Sequence, residues 1–209
     1  MGSPTCLTDP AAHLVIDTSA AINLNATGCA VEILKSLPNR VLAVDIILHE
    51  LEEGRRRGKR DADLLNELVS AHLIEVVTLD SPAEKIFEEL VVGRAVETLD
   101  DGEAATIAYA AEHGGIAIID ERKAIRICGQ RFASLRLGST VDLFAHPKVL
   151  TGLGRERLSQ AVLNSLQNAR MRVLPHHIRW VVDLIGQEQA TKCASLPRSV
   201  RSSDTPHAN

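Results

Sequence analysis

At 209 residues the chain is long enough for one well-packed core but short for two independent domains. It is 45% hydrophobic, as globular proteins are, but only 2% aromatic, which excludes an extended platform of exposed rings for stacking bases. With 23 Lys and Arg against 27 Asp and Glu, the formal charge of -4 excludes the overall basic field of a dedicated nucleic-acid binder, so any polyanion must be bound locally.

Short apolar runs alternate with helical patterns along most of the chain. The predicted strands cover residues 13–16, 41–44, 74–79, 116–119 and 135–137. The predicted helices cover 19–24, 29–37, 46–57, 61–72, a stretch from 81 onward, 99–113, 121–131, 155–172 and 176–186. Because parallel strands need crossover helices, this alternation predicts an α/β fold, a three-layer doubly wound sandwich with a central, mostly parallel sheet and additional C-terminal helices.

The predicted organisation is an N-terminal extension at 1–12, an α/β domain at 13–150, a helical extension at 151–188 and a tail at 189–209. The tail is rich in Ser, Pro and Arg and poor in large apolar residues, which predicts disorder. The four cysteines lack the spacing of a zinc site or a disulfide framework. No segment resembles a secretion signal or reaches the roughly 20 apolar residues of a membrane span. We therefore expect a soluble, cytoplasmic protein with reduced thiols and no membrane partner.

Two aspartates directly follow apolar runs, in Leu-Val-Ile-Asp17 and Ala-Ile-Ile-Asp120. In an open α/β sheet, ligands bind beyond the carboxyl ends of the strands. If the two strands are neighbours, both carboxylates enter one crevice. The alternative is that each aspartate only caps the helix that follows it, where Asp accepts backbone N–H bonds.

Two glutamates are candidates for the same crevice. Glu103 lies on the apolar stripe of its helix, where a lone carboxylate needs a partner. As an alternative, Asp100 and Glu103 match a capping box, in which the glutamate reaches back to the N–H of the cap. Glu50 lies at the margin of the apolar face of its helix, and its spacing alone favours a surface glutamate.

Several carboxylates that converge without lysines repel one another, and this repulsion raises their pKa values. A divalent cation removes the conflict, and ligation by oxygen alone favours Mg²⁺ or Mn²⁺ over zinc. Such an ion lowers the pKa of an attacking water and stabilises the leaving oxygen in phosphodiester cleavage.

The acidic candidates lie, in chain order, in LVIDTSAAINL, ILHELEEG, LDDGEAATIAYA and AIIDERKA. Together these segments resemble the motif series of PIN-domain nucleases, the class that includes the VapC toxins. The resemblance covers residues 13–145, and its first, third and fourth motifs are specific in combination. It implies a doubly wound sheet whose acidic pocket binds Mg²⁺ or Mn²⁺ and hydrolyses RNA. By matching position, the catalytic acids would be Asp17, Glu50, Glu103 and Asp120, the first, third and fourth also being metal ligands.

Further positions follow from the same resemblance. Glu103 stands where the family often has Asp, and its extra methylene leaves Asp101 as a substitute metal ligand. Thr18 and Ser19 would position a water or a phosphate, with helix capping as the alternative role. Asp142 is a candidate fifth acid, although it equally suits the first turn of a helix.

A basic run follows the helix of Glu50, and its charges would hold phosphates without reading sequence or would only form a solvated loop. The basic candidates for substrate binding are Arg55, Arg56, Arg57, Lys59, Arg60 and Arg122, with Lys123 beside the last. The adjacent His176 and His177 are predicted to be surface residues rather than metal ligands.

The predicted function is therefore a Mg²⁺- or Mn²⁺-dependent ribonuclease, either the toxin of a toxin-antitoxin pair or a housekeeping RNA-processing nuclease. Its expected partners are RNA, a small antitoxin protein for a toxin, and, by resemblance only, a second copy of the chain. A non-catalytic regulatory module, such as a phosphorylation receiver, is the alternative from another class. A receiver would carry paired aspartates at the first strand exit, where this chain reads Asp17-Thr18-Ser19, and a dinucleotide-binding protein would carry a glycine-rich turn there.

Overall fold

The computed structural model describes residues 5–202, and no helix in that range is long and apolar enough to cross a membrane. The strands are β1 (Leu14–Ile16), β2 (Val41–Val44), β3 (Glu75–Val77), β4 (Ile116–Ile118) and β5 (Arg136–Gly138). The helices up to residue 153 are α1 (Thr18–Ala26), α2 (Ala30–Ser36), α3 (Asp45–Arg55), α4 (Asp61–Ser70), α5 (Ser81–Val91), α6 (Asp101–His113), α7 (Arg122–Arg131), α8 (Thr140–Phe144) and α9 (Pro147–Leu153). They are followed by α10 (Arg155–Asn168), a 3-10 turn (Pro175–His177), α11 (Ile178–Ile185), α12 (Gln187–Thr191) and α13 (Arg198–Arg201).

The five strands pair in parallel in the order β3-β2-β1-β4-β5. Ile16 of β1 lies opposite Ala43 of β2 on one side and Ile118 of β4 on the other. The chain therefore moves outward from β1 in one direction and then crosses to β4 on the opposite side. At this reversal the carboxyl ends of β1 and β4 are adjacent, which is where open α/β sheets bind ligands. The predicted doubly wound fold is confirmed.

Alternate residues of each strand face two separate hydrophobic cores. On β1, Leu14 and Ile16 face a core completed by α1, α2, α4 and the helices after residue 146, whereas Val15 faces a core completed by α5, α6 and α7. All three side chains are fully buried. Because these strands are covered on both faces, their sequences are continuously apolar rather than alternating. The three-layer sandwich is thus confirmed.

The helices after residue 150 belong to the first of these layers. The hydroxyl of Ser165 in α10 donates to the carbonyl of Asn23 in α1 at 2.8 Å. Nearby, the Asn164 amide donates to the carbonyl of Thr27 at 3.1 Å. Buried side chains of α10, among them Leu158 and Val162, fill the core beneath these contacts. The helical extension therefore packs directly on the helix that follows β1.

Helix α10 ends earlier than the prediction of a helix over 155–172. The backbone of Arg170 takes the left-handed conformation, with φ of 55°, and this conformation ends a helix. The amide of Met171 then donates to the carbonyl of Ser165 at 3.0 Å. Residues 169–172 are consequently a loop.

Part of the segment predicted to be a disordered tail is ordered. Helix α12 extends into it and α13 lies within it, while Cys193 and Leu196 are buried in the same core as α10. A few small apolar residues suffice there because they pack on a surface that the preceding helices have already formed. Residues 203–209 of the predicted tail lie outside the described residues.

Candidate active site

Asp17 follows β1 and caps α1, but capping uses only one of its two carboxylate oxygens. Oδ1 accepts a hydrogen bond from the N–H of Ala20 at 2.7 Å. Oδ2 is buried and has no hydrogen-bond partner among the described residues, and the whole side chain is only 1% exposed. An unsatisfied buried polar atom costs about 1–3 kcal/mol. The capping alternative therefore accounts for one oxygen and leaves the other unexplained.

Asp120 follows β4 and does not cap the next helix, so the capping alternative is wrong here. Glu121 takes the capping position, and its carboxylate accepts from the N–H of Lys123 at 3.5 Å. Asp120 instead accepts hydrogen bonds from the Thr140 amide at 2.9 Å, the Thr140 hydroxyl at 2.5 Å and the Asn23 side-chain amide at 2.9 Å. These three donors hold a carboxylate that is 3% exposed in one orientation.

Burial raises the pKa of both aspartates, and nearby carboxylates add to the effect. The pKa of Asp17 lies well above its ordinary value because burial disfavours the charged form and because Asp120, Glu103 and Glu50 add negative charge nearby. Burial likewise raises the pKa of Asp120, against the opposing effect of its hydrogen bonds. Of the four acids named from sequence, Asp120, Glu103 and Glu50 thus each act electrostatically on Asp17.

Glu103 is partly buried in the first turn of α6. Burial and then the charge of Asp100 raise its pKa, whereas Lys123 and Arg172 lower it. The predicted capping box is only half formed. The backbone N–H of Asp100 does stabilise the ionised Glu103, but the side chain of Asp100 makes no capping hydrogen bond.

Glu50 is partly buried and connects three helices, although its spacing favoured a surface glutamate. Its Oε1 accepts from the N–H of Gly102 in α6 at 2.9 Å, and its Oε2 accepts from the hydroxyl of Thr18 in α1. A Cβ atom at position 102 would lie 2.5 Å from Oε2 of Glu50. A side chain at position 102 would therefore displace the carboxylate of Glu50 or the hydroxyl of Thr18.

A cleft of about 300 Å³, which we call the acidic cleft, is bordered by Asp120 and Glu103, whereas Asp17 and Glu50 are not among the described residues that border it. Ser19 and Asn23 border it from α1, Asp120 and Glu121 from the exit of β4, and Asp100 and Glu103 from the start of α6. The loop 169–172 closes the remaining side. Asp101, predicted as a substitute metal ligand, is exposed and does not border the cleft. Asp100 borders the cleft instead.

Asp142 lies in a separate buried network rather than on the acidic cleft. Its Oδ2 accepts from the amide and the hydroxyl of Ser139 at 2.9 and 2.6 Å and lies 3.0 Å from Nε2 of His177, while Oδ1 accepts from the amide of Cys6 at 2.9 Å. Burial alone would raise the pKa of Asp142, but the hydrogen bonds from His177, Ser139 and Cys6 outweigh it and lower the pKa to about 2.

His177 is fully buried, so its prediction as a surface residue is wrong, whereas His176 is exposed as expected. The buried carboxylate of Asp142 provides the partner that a histidine needs in the interior. The spacing of these three side chains would suit a metal ion. However, the oxygens of Asp142 already take part in the capping box of α8 and in the contact with His177.

The basic run lies outside the acidic cleft. Arg55 forms ion pairs with Glu52 at 3.1 Å and Asp63 at 3.3 Å, and Arg56 forms one with Glu53 at 2.8 Å. The other predicted basic candidates are exposed on the surface: Arg57, Lys59, Arg60 and Arg122. None of these six side chains is among the described residues that border the cleft.

Three contributions to the acidic cleft were missed from sequence, namely Asn23, Asp100 and the loop 169–172. Asn23 had a usable signal, because it is a polar residue four positions after Ser19 and therefore on the same face of the helix. Asp100 was considered only as a cap. The loop had no signal, since the helical pattern of 155–172 continues through it.

Comparison with known families adds a match over most of the chain. A family model described as PIN domain matches residues 13–187. A search of curated proteins found no significant match. The matched range includes all five strands, the four acids and the loop 169–172, and it extends beyond residue 145, where the resemblance noted from the motifs ends.

Proposed function

Because this chain belongs to the PIN-domain family, a family of nucleases, we propose that it is a Mg²⁺- or Mn²⁺-dependent ribonuclease that hydrolyses phosphodiester bonds of RNA. One observation carries the proposal. Oδ2 of Asp17 is buried and unpartnered among the described residues, and the charges of Asp120, Glu103 and Glu50 oppose the ionisation of this side chain. A cation is the partner that would satisfy the oxygen and remove the repulsion at once.

The donor chemistry of the residues present suits such an ion, although among the described residues no three carboxylate oxygens of this set lie within 4.8 Å of one another. Asp17, Glu103 and Asp120 offer carboxylate oxygens, which are the ligands that Mg²⁺ and Mn²⁺ prefer. We assign Asp100 as the additional acid, because it borders the acidic cleft and raises the pKa of Glu103, and we keep Asp101 as the alternative. A bound divalent ion would supply Lewis acidity that activates a water and stabilises the leaving oxygen.

The remaining polar residues hold these acids in place. Asn23 and Thr140 orient Asp120 through hydrogen bonds to its carboxylate. Thr18 donates to Glu50, and we therefore assign it a positioning role rather than contact with substrate. Ser19 is exposed at the border of the cleft, where its hydroxyl can donate to a phosphate oxygen.

The partners proposed beyond RNA rest on the family alone. A toxin would act in the cytoplasm with a small antitoxin as its inhibitor, whereas a housekeeping nuclease would process RNA without one. A neighbouring gene for a small antitoxin would favour the first. A homodimer is the default expectation for either, and sedimentation of the purified chain tests it.

The decisive experiment measures cleavage of mixed RNA by the purified full chain with Mn²⁺, Mg²⁺ or EDTA. Wild type should cleave only with metal, and Asp17→Asn and Asp120→Asn should each lower the rate by about 100-fold or more. Asp80→Asn is the matched control, since Asp80 caps α5 through the N–H of Ala83 and does not border the acidic cleft. It should cleave like wild type, and the loss of cleavage in Asp17→Asn and Asp120→Asn preparations excludes a contaminating ribonuclease as the source of activity.

Two results would count against the proposal. Absence of cleavage with any metal, together with absence of Mn²⁺ binding in calorimetry, would end the ribonuclease interpretation. Binding of Mn²⁺ without cleavage of any RNA would favour the non-catalytic regulatory module.

A further inference from the structure

We propose that Arg170 and Arg172, on the loop after α10, bind backbone phosphates of the RNA in the acidic cleft. This inference rests on the proposed ribonuclease function and deepens it, because it assigns substrate binding to the helical extension. The motif series and the basic run gave no indication of this loop. The assignment depends on the position of the loop, its anchoring, and the charges that it faces.

Both arginines border the acidic cleft, opposite the acids of β4 and α6. Between them, Met171 is 1% exposed and packs into the core that contains Leu14 and Ile16. The Met171 amide also donates to the carbonyl of Ser165 at 3.0 Å. Because the middle residue is held from inside, the two flanking side chains lie at the surface beside the cleft rather than on a free loop.

Arg170 has two properties that a merely structural residue would not need. Its backbone adopts φ of 55°, a left-handed conformation that costs a residue with a side chain about 1–2 kcal/mol. Within residues 5–202, its guanidinium has neither an ion pair nor a hydrogen bond. A cation is therefore held without a partner at the edge of a cluster of carboxylates, where it is available to an incoming anion.

Arg172 faces the carboxylates directly. Its guanidinium forms an ion pair with Glu121, the residue after Asp120, and its positive charge lowers the pKa of Glu103. The Arg172 side chain is 62% exposed, so the pair is accessible to solvent and contributes little stability. A phosphate, which suits the planar fork of a guanidinium, can replace Glu121 as the partner.

RNA binding in the acidic cleft requires positive charge nearby, because both the whole chain and the cleft are negatively charged. The chain has a formal charge of -4, and the acidic cleft concentrates carboxylates where a polyanion would bind. Arg55 and Arg56 of the basic run do not border the cleft and therefore cannot supply this charge. The two arginines of the loop are the cationic side chains among the described residues bordering the cleft.

The test uses the full chain with Asp17→Asn as a non-cleaving background and a labelled single-stranded RNA oligonucleotide in Mn²⁺. Arg170→Gln and Arg172→Gln should each weaken binding by about 3- to 10-fold and reduce the slope of log affinity against log salt by about 0.7. In the cleaving chain, each should raise KM more than it lowers kcat. The affinity of the cleaving chain for Mn²⁺ in calorimetry should stay unchanged in Arg170→Gln, whose guanidinium is not among the groups that shift the pKa of Glu103.

Two controls separate phosphate binding from structural effects. Arg179→Gln makes the same change of charge on an 84% exposed side chain of α11 that does not border the cleft, and it should bind RNA as its background does. Glu121→Gln breaks the ion pair of Arg172 from the other side. If Arg172 only supports Glu121, this variant should lose RNA affinity as Arg172→Gln does; if Arg172 binds phosphate, affinity should hold or rise.

Different results would overturn the phosphate-binding role of the two arginines and the ribonuclease function. Cleavage by wild type, with unchanged RNA affinity and salt slope in both arginine variants, would overturn the inference alone. Metal-independent RNA binding that depends on both arginines, in a chain that cleaves nothing, would overturn the function and leave the inference standing. A chain that binds no RNA at all would overturn the inference together with the function.

Discussion

The carboxylates of Asp17 and Asp120 follow adjacent parallel strands, yet only Asp120 has hydrogen-bond donors on both of its oxygens. Oδ2 of Asp17 is buried without a partner among the described residues, and Asp120 is the strongest source of the repulsion that raises its pKa. Without a cation, ionised Asp17 therefore destabilises the fold. The destabilisation by ionised Asp17 should therefore be measurable as a change in Tm when the charge is removed or when the metal is added.

Thermal unfolding of the metal-free chain should show this cost. Asp17→Asn removes the buried charge while Asn remains a good helix cap, so its Tm in EDTA should be equal to or a few degrees above that of wild type. Mn²⁺ at about 100 times its Kd should stabilise wild type by about 2.7 kcal/mol and should leave Asp17→Asn unaffected. Asp80→Asn should retain the full metal effect. An equal Mn²⁺-induced rise of Tm in Asp17→Asn would show that the ion binds elsewhere.

The contact between Glu50 and Gly102 predicts a loss of activity without a loss of stability. In Gly102→Ala, the added Cβ would lie 2.5 Å from Oε2 of Glu50 and closer still to the Thr18 hydroxyl. Both are ends of side chains, so they can move, while Ala favours the helix by about 0.5–1 kcal/mol. We expect the cleavage rate to fall about 10-fold or more and the free energy of unfolding in urea to change by less than about 1 kcal/mol.

Gly129→Ala is the matched control, because Gly129 lies within helix α7 and an added Cβ would meet no atom within 4 Å. This variant should be slightly more stable and fully active. If Gly102→Ala cleaves RNA as well as wild type, Glu50 is not held in a position that catalysis requires.

The positions of Asp17 and Asp120 were predictable because each depends on local sequence. A short apolar run followed by Asp identifies a strand exit, and the handedness and alternation of βα units bring such exits to one edge. Glu50 was less predictable, since its partner Gly102 is 52 positions away in the chain and becomes a neighbour only after α3 packs on α6.

The loop 169–172 and the basic run show the limit of sequence patterns. The loop approaches Asp120 from about 50 residues further along the chain, through the packing of α10 on α1, and no local periodicity encodes that contact. The basic run is conspicuous in sequence, but the structure pairs Arg55 and Arg56 with carboxylates on the surface. Clustered charge is visible in a sequence, whereas its partners are determined by the fold.

Thr140 provides a test of how Asp120 is held. Thr140→Val keeps the shape of the side chain but removes the hydroxyl that donates to Asp120 at 2.5 Å. The loss of this donor should raise the pKa of Asp120 further and weaken Mn²⁺ binding in calorimetry by about 10- to 100-fold. Thr106→Val is the control, since Thr106 is equally buried but donates to the carbonyl of Ile16 at 3.2 Å rather than to an acid.

The two threonine variants should therefore differ in the property that they reduce, which is Mn²⁺ affinity for one and stability for the other. Thr106→Val should lower the free energy of unfolding by about 1 kcal/mol and leave the Mn²⁺ affinity unchanged. Equal losses of Mn²⁺ affinity in both variants would indicate a general disturbance of β1 and β4, and the specific role of the Thr140 hydroxyl would have to be abandoned.

The pairing of Asp142 with His177 predicts a dependence of stability on pH. The pKa of Asp142 in the folded chain is about 2, below its ordinary value of 3.8, so folding favours the ionised form. This contribution to stability is present above about pH 4 and is lost as the pH falls toward 2. His177→Leu removes one donor, and the donors on Ser139 and Cys6 remain. The pKa of Asp142 should then rise, and unfolding at pH 7 should require about 1–2 kcal/mol less.

Urea unfolding of wild type and His177→Leu between pH 3 and pH 7 measures this difference. Because the wild-type contribution is lost as the pH falls, the difference in unfolding free energy should be constant above about pH 5 and should shrink below about pH 4. His176→Leu changes the exposed neighbour and should show no such convergence. A difference that stays constant down to pH 3 would mean that His177 stabilises the fold by packing alone, since a contribution through ionised Asp142 must weaken as that carboxylate takes up a proton.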